Sequence, residues 1–118
     1  SLHLRLNPET RGIVTAGNLA SMKPTALLVN TSRAPLVEDG ALEAALNTGR
    51  PGMAAVDVFD HEPVIEHPLL ALPNVLATPH LGYVEKDSYE LYFGDAFENL
   101  LAFDAGQPVR NLAAGETP

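Results

Sequence analysis

Three short apolar runs constrain this chain more than any other feature: ALLVN (26–30), MAAVDVF (53–59) and NVLAT (74–78). Each has the length of a strand and little polar alternation, as expected of strands in a parallel sheet covered on both faces. Helical spacing lies around them. Glu38 to Thr48 carries Leu42, Ala45 and Leu46 on one stripe, with acids in its first turn and Gly49 at its stop. Asn7-Pro8-Glu9-Thr10 reads as a turn, and Thr15 to Met22 as a short helix ending near Lys23-Pro24. From Ser88 to Ala105 a longer helix should direct Leu91, Tyr92, Ala96, Leu100, Leu101 and Phe103 toward a core, with Gly106 ending it. Strands alternating with helices predict an α/β fold built on a parallel sheet.

The opening residues suggest a further strand. Leu2, Leu4 and Leu6 alternate immediately after Ser1, without an initiating methionine, as in the later part of a strand that begins upstream. The expectation is a segment of a longer protein, with a sheet of about four strands. Its open edge would pair with another copy or with residues outside this sequence.

The 118 residues suffice for one domain with a modest core. No apolar stretch is long enough to span a bilayer, no secretory pattern is present, and cysteine is absent. These features predict a cytoplasmic protein with no membrane partner and no thiolate metal site. The net charge is −8, and the seven basic residues are scattered, which argues against nucleic-acid binding.

Open parallel sheets bind ligands at the carboxyl ends of their strands. Three successive ends carry polar or ionisable groups here: Thr31-Ser32-Arg33, then Asp57 and Glu62, then Thr78 and His80. Arginine offers a planar fork for a carboxylate, and histidine can exchange a proton near neutral pH. A carboxylate beside the ring stabilises its charged form. Arg33, His80 and Glu62 together therefore suit an anionic substrate with a hydroxyl or carbonyl next to its carboxylate. Asp57 sits inside an apolar run, where an acid is costly without donors, so a functional role or a buried cap is expected. His61 and His67 lack such a context and are read as solvent-exposed. Ser32, His80 and Glu62 could also be arranged as a hydrolase triad, but no G-x-S-x-G elbow occurs. A metal site from His80, Glu62 and Asp57 has the right residue types without a tight ligand motif.

Four blocks, HLRLNPETRGIV, MKPTALLVNTSRAPLVEDGALEAALNTGR, AAVDVFDHEP and LPNVLATPHLGY, occur in that order. Together they resemble the D-isomer-specific 2-hydroxyacid dehydrogenases, over residues 2 to 83 and more weakly to about Asn111. The resemblance implies the second half of a Rossmann-type NAD(P)-binding sheet in residues 1–83. Residues 84–118 would be a helix and tail returning to the substrate domain. It implies that Arg33 binds the substrate carboxylate and carbonyl, that His80 is the acid/base and that Glu62 pairs with it. Asp57 would hydrogen-bond the nicotinamide carboxamide. Leu4, Thr31, Ser32 and Gly82 would line the cofactor together with Arg33 and His80.

The implied activity of the intact protein is hydride transfer between a nicotinamide cofactor and a small D-2-hydroxy or 2-oxo acid. NAD is the implied cofactor and NADP the open alternative, in a homodimer without a metal. No G-x-G-x-x-G occurs in this segment, so these residues alone are expected to be inactive and to bind dinucleotide weakly. The alternative class is a dehydrogenase-derived, corepressor-like regulatory module that binds NAD.

Overall fold

The computed structural model describes residues 1–110. The first apolar run forms β1 (Leu27–Asn30), the second β2 (Met53–Val56) and the third β3 (Val75–Ala77). They make one parallel sheet in the order β1-β2-β3, with Asn30 opposite Val56 and Val56 opposite Ala77. This register aligns the three carboxyl ends, so the polar residues that follow them emerge at one edge. The α/β class and the parallel sheet read from the sequence are what the structure has.

Helices α1 (Ala16–Ala20) and α2 (Ala41–Asn47) cover one face of the sheet. Leu19, Leu42 and Leu46 pack in one core with Leu28, Ala54 and Val56. A capping box starts α1: Asn18 N donates to Thr15 Oγ1 at 3.2 Å, and Thr15 N donates to Asn18 Oδ1 at 2.9 Å. The acids expected in the first turn of the next helix lie mostly outside it. α2 begins only at Ala41, after Gly40 in the left-handed region (φ 67°), and Glu38 instead accepts the Ala16 N–H at the start of α1. β1 and β2 alternate in burial, with Leu27 and Met53 each 50% exposed. Within this chain α1 and α2 lie against one face only, so the other face of the sheet, expected from the sequence to be covered, is left open by these residues.

The predicted opening strand reduces to a single bridge. Leu2 pairs with Asn30 in parallel and its N–H donates to the Val29 carbonyl at 2.9 Å. Beyond it, the Leu4 carbonyl accepts from the Ser32 hydroxyl instead of a ladder N–H. Thr10 Oγ1 then donates to the Arg5 carbonyl and Asn7 caps its own turn, which takes the chain off the sheet edge. The observed sheet is accordingly three-stranded.

The described chain divides into two compact units, Ser1–Gly82 and the residues from Tyr83 onward. In the second, α3 (Lys86–Asp104) is capped by Glu85, whose carboxylate accepts from Asp87 N and Ser88 N. None of its residues is buried, contrary to the expected core stripe. Leu91, Tyr92 and Phe93 are consecutive, so its apolar groups surround the helix instead of sharing one face. No described helix is long and apolar enough to cross a membrane.

Gly52 leads into β2 and passes against the segment before β1. A Cβ there would lie 1.8 Å from the Pro24 carbonyl oxygen, a backbone atom that cannot swing aside. We expect Gly52→Ala to destabilise the fold by on the order of 3 kcal/mol, read as a lower urea midpoint. An unchanged midpoint would show that the two backbones separate at no cost.

Candidate active site at the carboxyl edge of the sheet

The turn after β1 is shaped by side chain–backbone bonds. Ser32 N donates to Asn30 Oδ1 at 3.1 Å, and Asn30 Nδ2 donates to the Arg33 carbonyl at 3.0 Å. The Ser32 hydroxyl donates to the Leu4 carbonyl at 2.6 Å. Arg33 is exposed, and its Nη1 donates to the Ser32 carbonyl at 2.7 Å.

Asp57 follows β2 and is 4% exposed. Its Oδ1 accepts from the Thr78 hydroxyl and from Leu81 N at 2.8 Å, and its Oδ2 from Gly82 N at 2.7 Å. Burial pushes this carboxyl up, but the Thr78 hydroxyl and the two amides outweigh it and hold its pKa below the usual aspartate value. The cap anticipated for a buried acid is thus present. One lone pair on Oδ2 remains beyond these three bonds.

The cap brackets His80. Thr78 and Leu81 flank it in sequence and both bond the same oxygen, while His80 itself adopts φ 56°, which a non-glycine residue holds only under constraint. A Cβ on Gly82 would crowd Asp57 at 3.0 Å from Oδ2, so a larger residue would require that carboxylate to shift by a few tenths of an ångström. In this conformation His80 Nδ1 meets Glu62 Oε2 at 2.8 Å. Glu62 Oε1 accepts Phe59 N at 2.9 Å. The His80 bond first and the Phe59 N–H second draw the Glu62 carboxyl below its usual pKa.

Arg33, Glu62 and His80, drawn from three strand ends, line one cleft of about 330 Å³ with Leu6, Pro35 and Phe59. A larger depression of about 810 Å³ shares Pro35 and Asp60 with it but contains none of those three residues. Thr31 and Gly82 meet beside Asp57. Leu4 is tied to this edge through its carbonyl.

The triad alternative loses its key contact, since the Ser32 hydroxyl donates to Leu4 and not to His80. Among the described residues no three carboxylates or imidazoles converge as a metal ion would need. His61 is exposed as expected, but His67 is half-buried. Its Nδ1 accepts Leu69 N at 3.1 Å and its ring packs edge-on against Phe59, with centroids 5.1 Å apart. Sequence reasoning passed over Asn30 and gave Thr78 no role. The available signal for Asn30 was the one used for Asp57, a polar residue closing an apolar strand.

Comparison with known proteins shows the family to which this chain belongs. The family model for the NAD binding domain of D-isomer specific 2-hydroxyacid dehydrogenases matches residues 1–82. The chain belongs to this family. It is 42% identical to the glyoxylate reductase of Aeropyrum pernix over 117 residues, covering 98% of this chain and 35% of that protein. A phosphoglycerate oxidoreductase from Vibrio cholerae superposes with a TM-score of 0.80 at 58% identity, over 88% of this chain and 34% of that one. A D-isomer specific 2-hydroxyacid dehydrogenase from Xanthobacter autotrophicus, solved with NADPH and MES, matches with a TM-score of 0.69 at 40% identity. That match covers 93% of this chain and 45% of the other. The chain spans about a third of the length of the curated relatives it matches.

A depressed carboxyl contributes stability above its unfolded pKa of about 4 and loses it as pH falls through the lower folded value. We expect Asp57→Asn to lack this component of acid destabilisation. Near neutral pH it should cost about 1–3 kcal/mol, because an amide group then faces two N–H donors. Thermal unfolding followed from about pH 7 to about pH 2 checks both signs. Wild-type acid dependence in Asp57→Asn would show that the capped carboxylate contributes nothing to acid stability.

Proposed function

We propose that, in the intact protein, this chain carries the reacting end of an oxidoreductase that interconverts a small D-2-hydroxy acid and its 2-oxo acid. The observation that carries the reading is the cleft in which Arg33 stands with a His80–Glu62 pair closed at 2.8 Å. Arg33 takes the substrate carboxylate in its guanidinium fork and polarises the adjacent carbonyl. His80 removes the hydroxyl proton through Nε2, the ring nitrogen opposite the Glu62 bond, and returns it in the reverse direction. Glu62, kept ionised by its two donors, stabilises the imidazolium. A bound oxidised nicotinamide cofactor would accept the hydride that leaves C2 of the substrate, and its reduced form would return it in the reverse direction.

The fit of these residues to that cofactor rests on Asp57. Its Oδ2 keeps one acceptor site, which suits an amide donor such as the nicotinamide carboxamide. We assign Thr31, Ser32, Gly82 and Leu4 to the cofactor's lining with Arg33 and His80; Gly82 lies close to Asp57 and Thr31, and the Ser32 hydroxyl donates to the Leu4 carbonyl. NAD follows from the family's domain description, and the NADPH held by the Xanthobacter relative supports the second form. We assign residues 1–83 to the cofactor-binding domain and the remainder to a substrate domain. The apolar residues around α3 support this, since such a helix needs cover on every side. The intact protein is read as a cytoplasmic homodimer.

Turnover by the intact protein with NADH or NADPH and a panel of 2-oxo acids tests the reading. Reduction of at least one of them is expected. Cofactor binding without turnover across the panel would favour a regulatory NAD-binding module instead. His80→Ala should lower kcat by roughly 10²- to 10⁴-fold, and near-normal turnover would remove the mechanism. Arg33→Lys keeps the charge but loses the fork, so KM for the oxo acid should rise steeply with little change in cofactor affinity. The opposite pattern would move Arg33 to the dinucleotide site.

A further inference from the structure

A primary amide at the end of an apolar strand is costly to bury unless both its ends find partners. Asn30 is 2% exposed and closes β1, and its two bonds bracket the residues that carry the cleft's cation. Oδ1 accepts Ser32 N at 3.1 Å, and Nδ2 donates to the Arg33 carbonyl at 3.0 Å. Between these anchors lies the Ser32 carbonyl, the acceptor for Arg33 Nη1 at 2.7 Å. Arg33 itself is exposed, so packing does little to aim its side chain. The Asn30 backbone adds a link to the other half of the site, because its carbonyl accepts Asp57 N at 3.0 Å.

We infer that Asn30 is a positioning residue for substrate recognition. Its side-chain amide holds the Ser32–Arg33 turn so that the guanidinium faces the cleft in one orientation and receives the substrate carboxylate as a fork. This rests on the assignment of Arg33 to the carboxylate proposed above. A bidentate contact requires both N–H groups to arrive together, so a turn free to swing by about 1 Å loses much of that interaction. The effect belongs to 2-oxo acid binding and not to proton transfer at His80.

The test is a double-mutant cycle in the intact enzyme with Asn30→Ala, Arg33→Ala and the pair. Asn30→Ala should raise KM for the 2-oxo acid about tenfold, change kcat less, and leave the cofactor Kd within about twofold. On the Arg33→Ala background the same substitution should change kcat/KM by less than about twofold. An asparagine that merely supports the fold would impose the same factor in both backgrounds, and that result overturns the inference. Should Asn30→Ala fail to fold, Asn30→Asp keeps the acceptor for Ser32 N and removes the donor to the Arg33 carbonyl, and the cycle is read with it on the same criteria. An Arg33→Ala enzyme with unchanged oxo-acid kinetics would instead sink the functional reading, and this inference with it.

Discussion

An ionised carboxylate enclosed at the end of an apolar strand is tolerable only where donors surround it, and that constraint organises the carboxyl edge of this sheet. Asp57 draws in the Thr78 hydroxyl and the Leu81 and Gly82 amides, so the loop after β3 cannot relax without stranding a charge. His80 sits inside the segment so held and takes a backbone conformation it would otherwise avoid. The outcome is a ring placed 2.8 Å from Glu62. Asn30 does for the first strand end what Asp57 does for the third, and the Asp57 N–H to Asn30 carbonyl bond joins the two. The buried polar residues of this core thus stand directly beneath the residues that face the cleft.

The parallel register explains why these contacts converge. β1, β2 and β3 run in the same direction and are paired so that Asn30, Val56 and Ala77 lie side by side. Residues one to six positions further along each strand then share one edge. Leu19, Leu42 and Leu46 hold the opposite side of that frame by covering Leu28, Ala54 and Val56. Burial of each of these leucine and valine side chains contributes about 1.5–3 kcal/mol, which is the scale needed to keep strained and charged groups at the edge in place.

Much of this was legible in the sequence, for physical reasons. Apolar runs the length of strands specify a parallel sheet with little help from context, and an acid such as Asp57 within one of them announces either a site or a cap. It proved to be a cap, with one acceptor position to spare. Arg33, Glu62 and His80 were visible as strand-end groups, and their meeting follows from topology. What escaped notice depends on partners far away in sequence. Glu38 reads as part of its own helix but binds the start of α1, twenty-two residues earlier. His67 reads as a surface histidine but packs on Phe59. Leu4 reads as a strand residue, yet its carbonyl accepts from the Ser32 hydroxyl in the distant turn after β1. The apolar residues of α3 pointed to burial, which this unit of structure does not supply.

In the proposed reaction Arg33 and the His80–Glu62 pair converge on one 2-oxo acid. This convergence is tested most directly by a crystal structure of the intact protein with its cofactor and a non-reducible 2-oxo acid analogue such as oxamate. The analogue's carboxylate is expected on both guanidinium nitrogens of Arg33, with its carbonyl oxygen within about 3 Å of His80 Nε2. An analogue seated away from Arg33, or with its carbonyl turned from His80 while Glu62 still holds the ring, would contradict it.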